Sequence, residues 1–107
     1  MSQMVLEIPN LLANLPLQER NRLIRSGLYE ATHARIRQLE KETIESQKHI
    51  LNFEKRYGVS LTLFEKDVLP TLDTLQAHED YNDWFFWQNV LIKNEQLLSE
   101  MKQIEFD

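Results

Sequence analysis

LQERNRLIRSGLYEATHARIRQLEKETIESQKHILNFEKRY, residues 17–57, decides the fold. No proline interrupts it, and its one glycine, Gly27, costs a helix only about 1 kcal/mol relative to alanine. Tyr29, Thr32, Ile36, Leu39, Thr43, Ser46, Ile50, Phe53 and Tyr57 follow one another at alternating intervals of three and four. That period is the seam of a helix packed lengthwise against another helix. Leu23, Ile24, Leu28 and Ala31 broaden the apolar face near the start, and Ile44 and Leu51 widen it later. Thr43 and Ser46 make the middle of the seam polar, so the helix needs a further surface to be stable. Pro16 suits the opening of this helix, with Gln18 and Glu19 in its first turn. Gly58, just past Lys55, Arg56 and Tyr57, reads as a left-handed stop with cations at the negative end of the dipole.

Working outward, Ser60 caps a short helix over 61–69 that Pro70 ends. After a looser stretch, Glu79, Asp80 and Asp83 open a returning helix over about 80–102, because acidic side chains favour the positive end of a helix. Trp84, Trp87, Leu91, Leu98 and Met101 form its stripe, with Phe85, Phe86 and Ile92 spreading around it. The long and returning helices close as an α-hairpin. In the other direction, Gln3 to Ile8 alternates, with Met4, Leu6 and Ile8 on one side and Gln3, Val5 and Glu7 on the other. This predicts one short strand, stopped by Pro9 and followed by a turn over Leu11 to Leu15 capped by Asn10. A lone strand cannot satisfy its own ladder bonds, so Met4, Leu6 and Ile8 are expected to pair with the same strand of a second copy. The fold class is mainly α with one N-terminal strand.

At 107 residues the chain suits a single domain, and 42% apolar with 27% charged residues is ordinary for a folded protein. Cysteine is absent, which removes disulfides, thiolate metal ligands and cysteine nucleophiles. There is no apolar run long enough for a membrane span, and Met1 to Asn10 lacks the pattern of a signal peptide, so a cytoplasmic location is expected. The formal charge of −5 divides unevenly: residues 1–41 carry +2 and residues 42–107 carry −7. The two ends of the chain, 1–41 and 42–107, thus face different electrostatic tasks. Phosphate repels a net acidic chain, which argues against generic nucleic-acid binding by the whole molecule.

Catalytic machinery is not legible. His33, His49 and His78 are too far apart to share a metal at one-turn spacing, and His78, Glu79, Asp80 and Asp83 lack the ligand alternation of a calcium loop. Serine elbows and phosphate loops need glycines, and this chain has two, Gly27 and Gly58, both assigned to helix positions. No cofactor and no enzymatic activity are expected. Two features point to macromolecules instead. Arg20, Arg22, Arg25, Arg35 and Arg37 make a basic group in which Arg20, Arg22 and Arg25, with Gln3 on the nearby strand, are candidate DNA contacts. Glu79, Asp80, Tyr81, Asp83, Trp84, Phe85, Phe86 and Trp87 interleave acids with aromatics, as in anchors for a basic partner. The same aromatics also fit the interior of the hairpin, and one helix can serve both purposes on different faces.

The strand with the run Glu19 to Ala31 resembles the N-terminal strand and "LIRxxL" helix of small bacterial antitoxins, including ribbon-helix-helix types. Arg56 to Leu61 and Asp80 to Trp84 are similar to the "RYGMS" and "DYxEW" pieces of antitoxin-like proteins. The chain departs from ribbon-helix-helix proteins in having only Leu11 to Leu15 where they carry a full helix. The resemblance implies an N-terminal dimer that autoregulates on DNA and a C-terminal half that wraps and neutralises a basic toxin. The alternative from another class is a non-catalytic oligomeric helical scaffold or adaptor.

Overall fold

The structure, a computed structural model, describes residues 13–104. Among the described residues every regular element is helical. The strand expected at Gln3 to Ile8, with its Met4, Leu6 and Ile8 dimer face, lies outside them, as do Asn10, Leu11 and Leu12 of the turn expected after it.

Helix α1, Leu17–Tyr57, runs unbroken for 41 residues. At 1.5 Å per residue it is about 60 Å long, and it sets the longest dimension of a molecule measuring 69 × 25 × 16 Å. Pro16 precedes it and accepts the Arg20 N–H at 3.0 Å. The helix continues through Gly27, where an added methyl group would meet open space. At the far end Gly58 adopts φ 71° and donates its N–H to the Glu54 carbonyl at 2.7 Å. That left-handed turn is the stop read from the sequence.

The next element corrects the sequence reading. Ser60 caps it as expected, accepting from the Leu63 N–H at 3.4 Å. The helix does not end at Leu69, however. It runs Leu61–Leu63, widens into a π turn at Phe64–Val68, and resumes as Leu69–Leu72; together these form α2. A proline inside an α-helix loses one N–H and presses its ring on the carbonyl four residues back. Here the Leu69 N–H reaches back five residues to the Phe64 carbonyl, opening the coil just ahead of the ring. Pro70 thus falls in the first turn of the resumed helix, where a missing donor costs little. Asp73, at φ 41°, ends the path.

Helix α3 spans Leu75–Lys102, starting earlier than the expected residue 80. The true cap is Thr74, whose side chain accepts the Ala77 N–H at 3.1 Å. Glu79, Asp80 and Asp83 therefore lie beyond the first turn, and the dipole does not explain their presence.

The returning helix packs antiparallel on α1, and the register follows from side-chain pairs: Asp80 meets Arg56, Trp84 meets Phe53, Trp87 meets His49, and Asn94 meets Glu42. The apolar core sits at the closed end, built from Ile50, Phe53, Phe64, Ala77 and Trp84, with Val68, Tyr81 and Leu91 packed on it. The middle of the seam is polar, as the sequence predicts. Buried Ser46 donates to the Glu42 carbonyl at 2.9 Å, and the buried Asn94 amide donates to the Glu42 carboxylate at 3.3 Å. Leu39 and Leu98 then restore apolar packing, and the Lys102 to Glu40 ion pair at 3.4 Å marks where α3 runs out. The first half of α1 projects past that point, with Leu17 60% and Leu28 44% exposed.

Candidate functional site

Residues 76–92 of α3 carry two different surfaces, and the local chemistry explains the division. Successive residues on an α-helix turn through about 100°, so a run of aromatics cannot all face one neighbour.

The inward surface is a lock. Asp80 is buried, and its carboxylate accepts from Arg56 Nη1 at 2.9 Å, from Gln76 Nε2 at 2.9 Å and from the Tyr57 hydroxyl. Burial alone pushes this carboxyl up, yet the hydrogen bonds from Tyr57, Arg56 and Gln76 outweigh it and hold the group below the ordinary carboxylate value. Tyr57 moves the other way: burial raises its pKa, and the bond to anionic Asp80 raises it further. Arg56 is likewise held above its usual value, first by its hydrogen bond to Asp80. Such a carboxylate, fixed by donors on two helices, ties the start of α3 to the end of α1. Trp84, fully buried, follows one turn later, its ring 5.6 Å from Phe53, 6.1 Å from Tyr57 and 5.3 Å from Phe64. Its indole Nε1 finds no hydrogen-bond partner among the described residues.

The outward surface has two flanks. Phe85, 47% exposed, lies 5.9 Å from Tyr81, which in turn packs near Phe64 of α2. Burial raises the Tyr81 phenol, and the Glu65 carboxylate beside it raises it further. Phe86, 57% exposed, belongs to the opposite flank, in an edge-on contact with Trp87 at 5.1 Å. Trp87 is half-buried and lies flat on the His49 ring, centroids 4.0 Å apart. Glu79 and Asp83, both exposed, precede Phe86 at intervals of seven and three, so they share its side of the helix. Of the eight candidate partner residues, then, Asp80 and Trp84 belong to the interior. Glu79, Asp83, Phe86 and Trp87 form one outward face, and Tyr81 and Phe85 form another.

The candidate DNA contacts are far from this region. Arg20, Arg22 and Arg25 lie on the projecting half of α1, where Arg22 pairs with Glu19 at 3.4 Å, and Gln3 lies outside the described residues. The histidines are dispersed: His33 packs on Tyr29 at 4.2 Å, His49 on Trp87, and His78 pairs with Asp73 at 3.0 Å. Among the described residues no group of three or more His, Asp or Glu is placed to hold a metal ion. None of the described helices is long and apolar enough to cross a membrane. No family model, curated protein or solved structure matches this chain.

Sequence reading missed Arg56, Tyr57 and Gln76 as partners of Asp80. The i,i+4 spacing of Gln76 and Asp80 was readable, whereas the contact across 24 residues needed the register of the hairpin.

Proposed function

We propose that the protein works without catalysis, as an antitoxin-like molecule that binds and neutralises a basic protein partner along the outer face of α3. The observation that carries this reading is Phe86, a large aromatic left 57% exposed, on one face with two exposed carboxylates, Glu79 and Asp83. Aromatic anchors rimmed by charge of one sign are the usual centres of binding energy at interfaces. Behind them, Asp80 and Trp84 hold the helix in place, so little ordering is required on binding. The net −7 of residues 42–107 would favour a cationic partner. The test is purification of the native chain at low salt, as wild type and as Phe86→Ala, followed by identification of any basic protein that co-purifies. Retention by wild type and loss by the variant supports the reading; no complex at low salt refutes it.

A second reading, contact with DNA through Arg20, Arg22 and Arg25, is favoured by the basic, solvent-facing character of the projecting half of α1. As an alternative to both, an oligomeric scaffold is favoured by the apolar residues left uncovered on that same segment.

A further inference from the structure

The projecting half of α1 and the flank of the hairpin match each other in length, polarity and charge. From Leu17 to Ile36 the helix extends about 30 Å, and the paired part of the hairpin, 39–57, covers about the same distance. Leu17 and Leu28 are exposed and Ile24 is half-buried, at intervals of seven and four that place them on one stripe. That stripe continues the line of Leu39, Ser46 and Ile50, which α3 covers further along.

On the hairpin, an open groove of about 430 Å³ lies between α1 and α3, lined by Glu40, Thr43, Ile44, Glu95, Leu98 and Lys102. Thr43 Oγ1 is buried there with no hydrogen-bond partner among the described residues. The antiparallel register sets Ile44 level with Ile92 and Leu51 level with Phe85. These four are 54%, 55%, 50% and 47% exposed. Two apolar layers one heptad apart, contributed by two helices, form the surface on which a third helix packs.

Charge points to what the third helix is. Residues 17–37 carry five arginines against Glu19 and Glu30, while the groove carries Glu40 and Glu95 against Lys102. We propose that the third helix is the projecting half of α1 from a second copy of this chain. By two-fold symmetry the contact occurs twice, so the two α1 helices lie antiparallel along their whole length and cross near Arg37. Each end becomes a three-helix bundle. At that register Glu19 and Arg20 of one copy stand level with Lys55 and Glu54 of the other. A docked helix about 30 Å long and 10 Å wide covers on the order of 300 Å² on each side, and two such contacts total about 1,200 Å², the lower edge of a stable interface. This pairing is independent of what binds Phe86, which faces the opposite flank.

The absence of native cysteine allows single-cysteine spin labels on the full chain. Labels at Arg37→Cys, Glu45→Cys and Gln18→Cys should give one short distance at the crossing and distances that grow by about 3 Å per residue away from it, twice the helical rise. Equal short distances at all three sites would mean parallel pairing and overturn the proposal. So would a monomeric sedimentation mass at the same concentrations, the result expected if residues 1–12 of the same chain cover the groove. A label near the crossing could itself weaken pairing, so the unlabelled Ile44→Ser, Leu51→Ser double variant gives an independent measure. Its dimer dissociation constant should rise at least tenfold with helix content unchanged; an unchanged constant overturns the proposal.

Discussion

Replacing Asp80 with alanine should unfasten α3 from α1. The substitution removes one acceptor from three donors, but the three losses are unequal. Arg56 is largely solvent-exposed and rehydrates readily, so its share is small. Tyr57 is half-buried, and its hydroxyl loses a charged acceptor; Gln76 loses the other bond. At about 1–1.5 kcal/mol for each of these two, the expected loss is roughly 2–3 kcal/mol at neutral pH. In a domain of this size that lowers the melting temperature by about 10–20 °C. The pH dependence gives a second signature. Because the folded carboxyl is held below its unfolded value, its contribution is fully present above an unfolded pKa of about 4 and is lost as pH falls through the folded value. Asp80→Asn keeps an acceptor but removes the charge, so it should flatten that acid limb while destabilising less than alanine. Thermal melts followed by circular dichroism from pH 2 to pH 7 provide the assay. An alanine variant melting within about 2 °C of wild type at pH 7, equivalent to less than 0.5 kcal/mol, would refute the lock. An unaltered acid limb in the asparagine variant would do the same.

Other substitutions test separate parts of the account. Gly27→Ala should stabilise the protein by about 0.5–1 kcal/mol, since a methyl group there meets nothing and the helix continues through it; urea titration measures this. Gly58→Ala should destabilise by about 1 kcal/mol in the same titration, because φ 71° is strained for any residue with a Cβ. At high pH, stability should decline as Tyr57 ionises: its folded pKa is raised, so the contribution is complete below about pH 10 and lost as pH rises through the folded value. If Arg22 and Arg25 touch DNA, the salt dependence of binding should weaken by about two in slope when both become alanine, and no retention on DNA in dilute salt would end that reading.

The sequence made the two long helices legible for identifiable reasons. Proline 16 and Gly58 bound α1, and the three-four recurrence from Leu39 to Tyr57 predicts the side that α3 covers. The same recurrence from Tyr29 to Ile36 looks identical in sequence yet lies beyond the reach of α3, because periodicity reports an apolar stripe and not the length of its partner. Pro70 was misleading: its cost in a regular α-helix is real, but a π turn relieves it, and that adjustment has no clear sequence mark. The cap, Thr74, has a sequence mark of its own, a threonine directly before the helix-compatible Leu75 to Ala77, but the acidic run from Glu79 is the stronger and misleading signal. For the site, the 100° rotation between neighbours was enough to predict that some aromatics of Trp84 to Trp87 must face outward. Which ones do so depends on the hairpin register, set by Asp80 against Arg56 and Trp84 against Phe53.

We propose that α3 divides its labour, the inner face holding the fold and the outer face engaging a partner. Phe86→Ala and Trp84→Ala, compared side by side for thermal stability and for partner retention in co-purification, test it most directly. Phe86→Ala should melt close to wild type but lose about 2 kcal/mol or more of binding, whereas Trp84→Ala should lose roughly 3–5 kcal/mol of stability. A Phe86 variant that melts normally and retains its partner at wild-type affinity would contradict it.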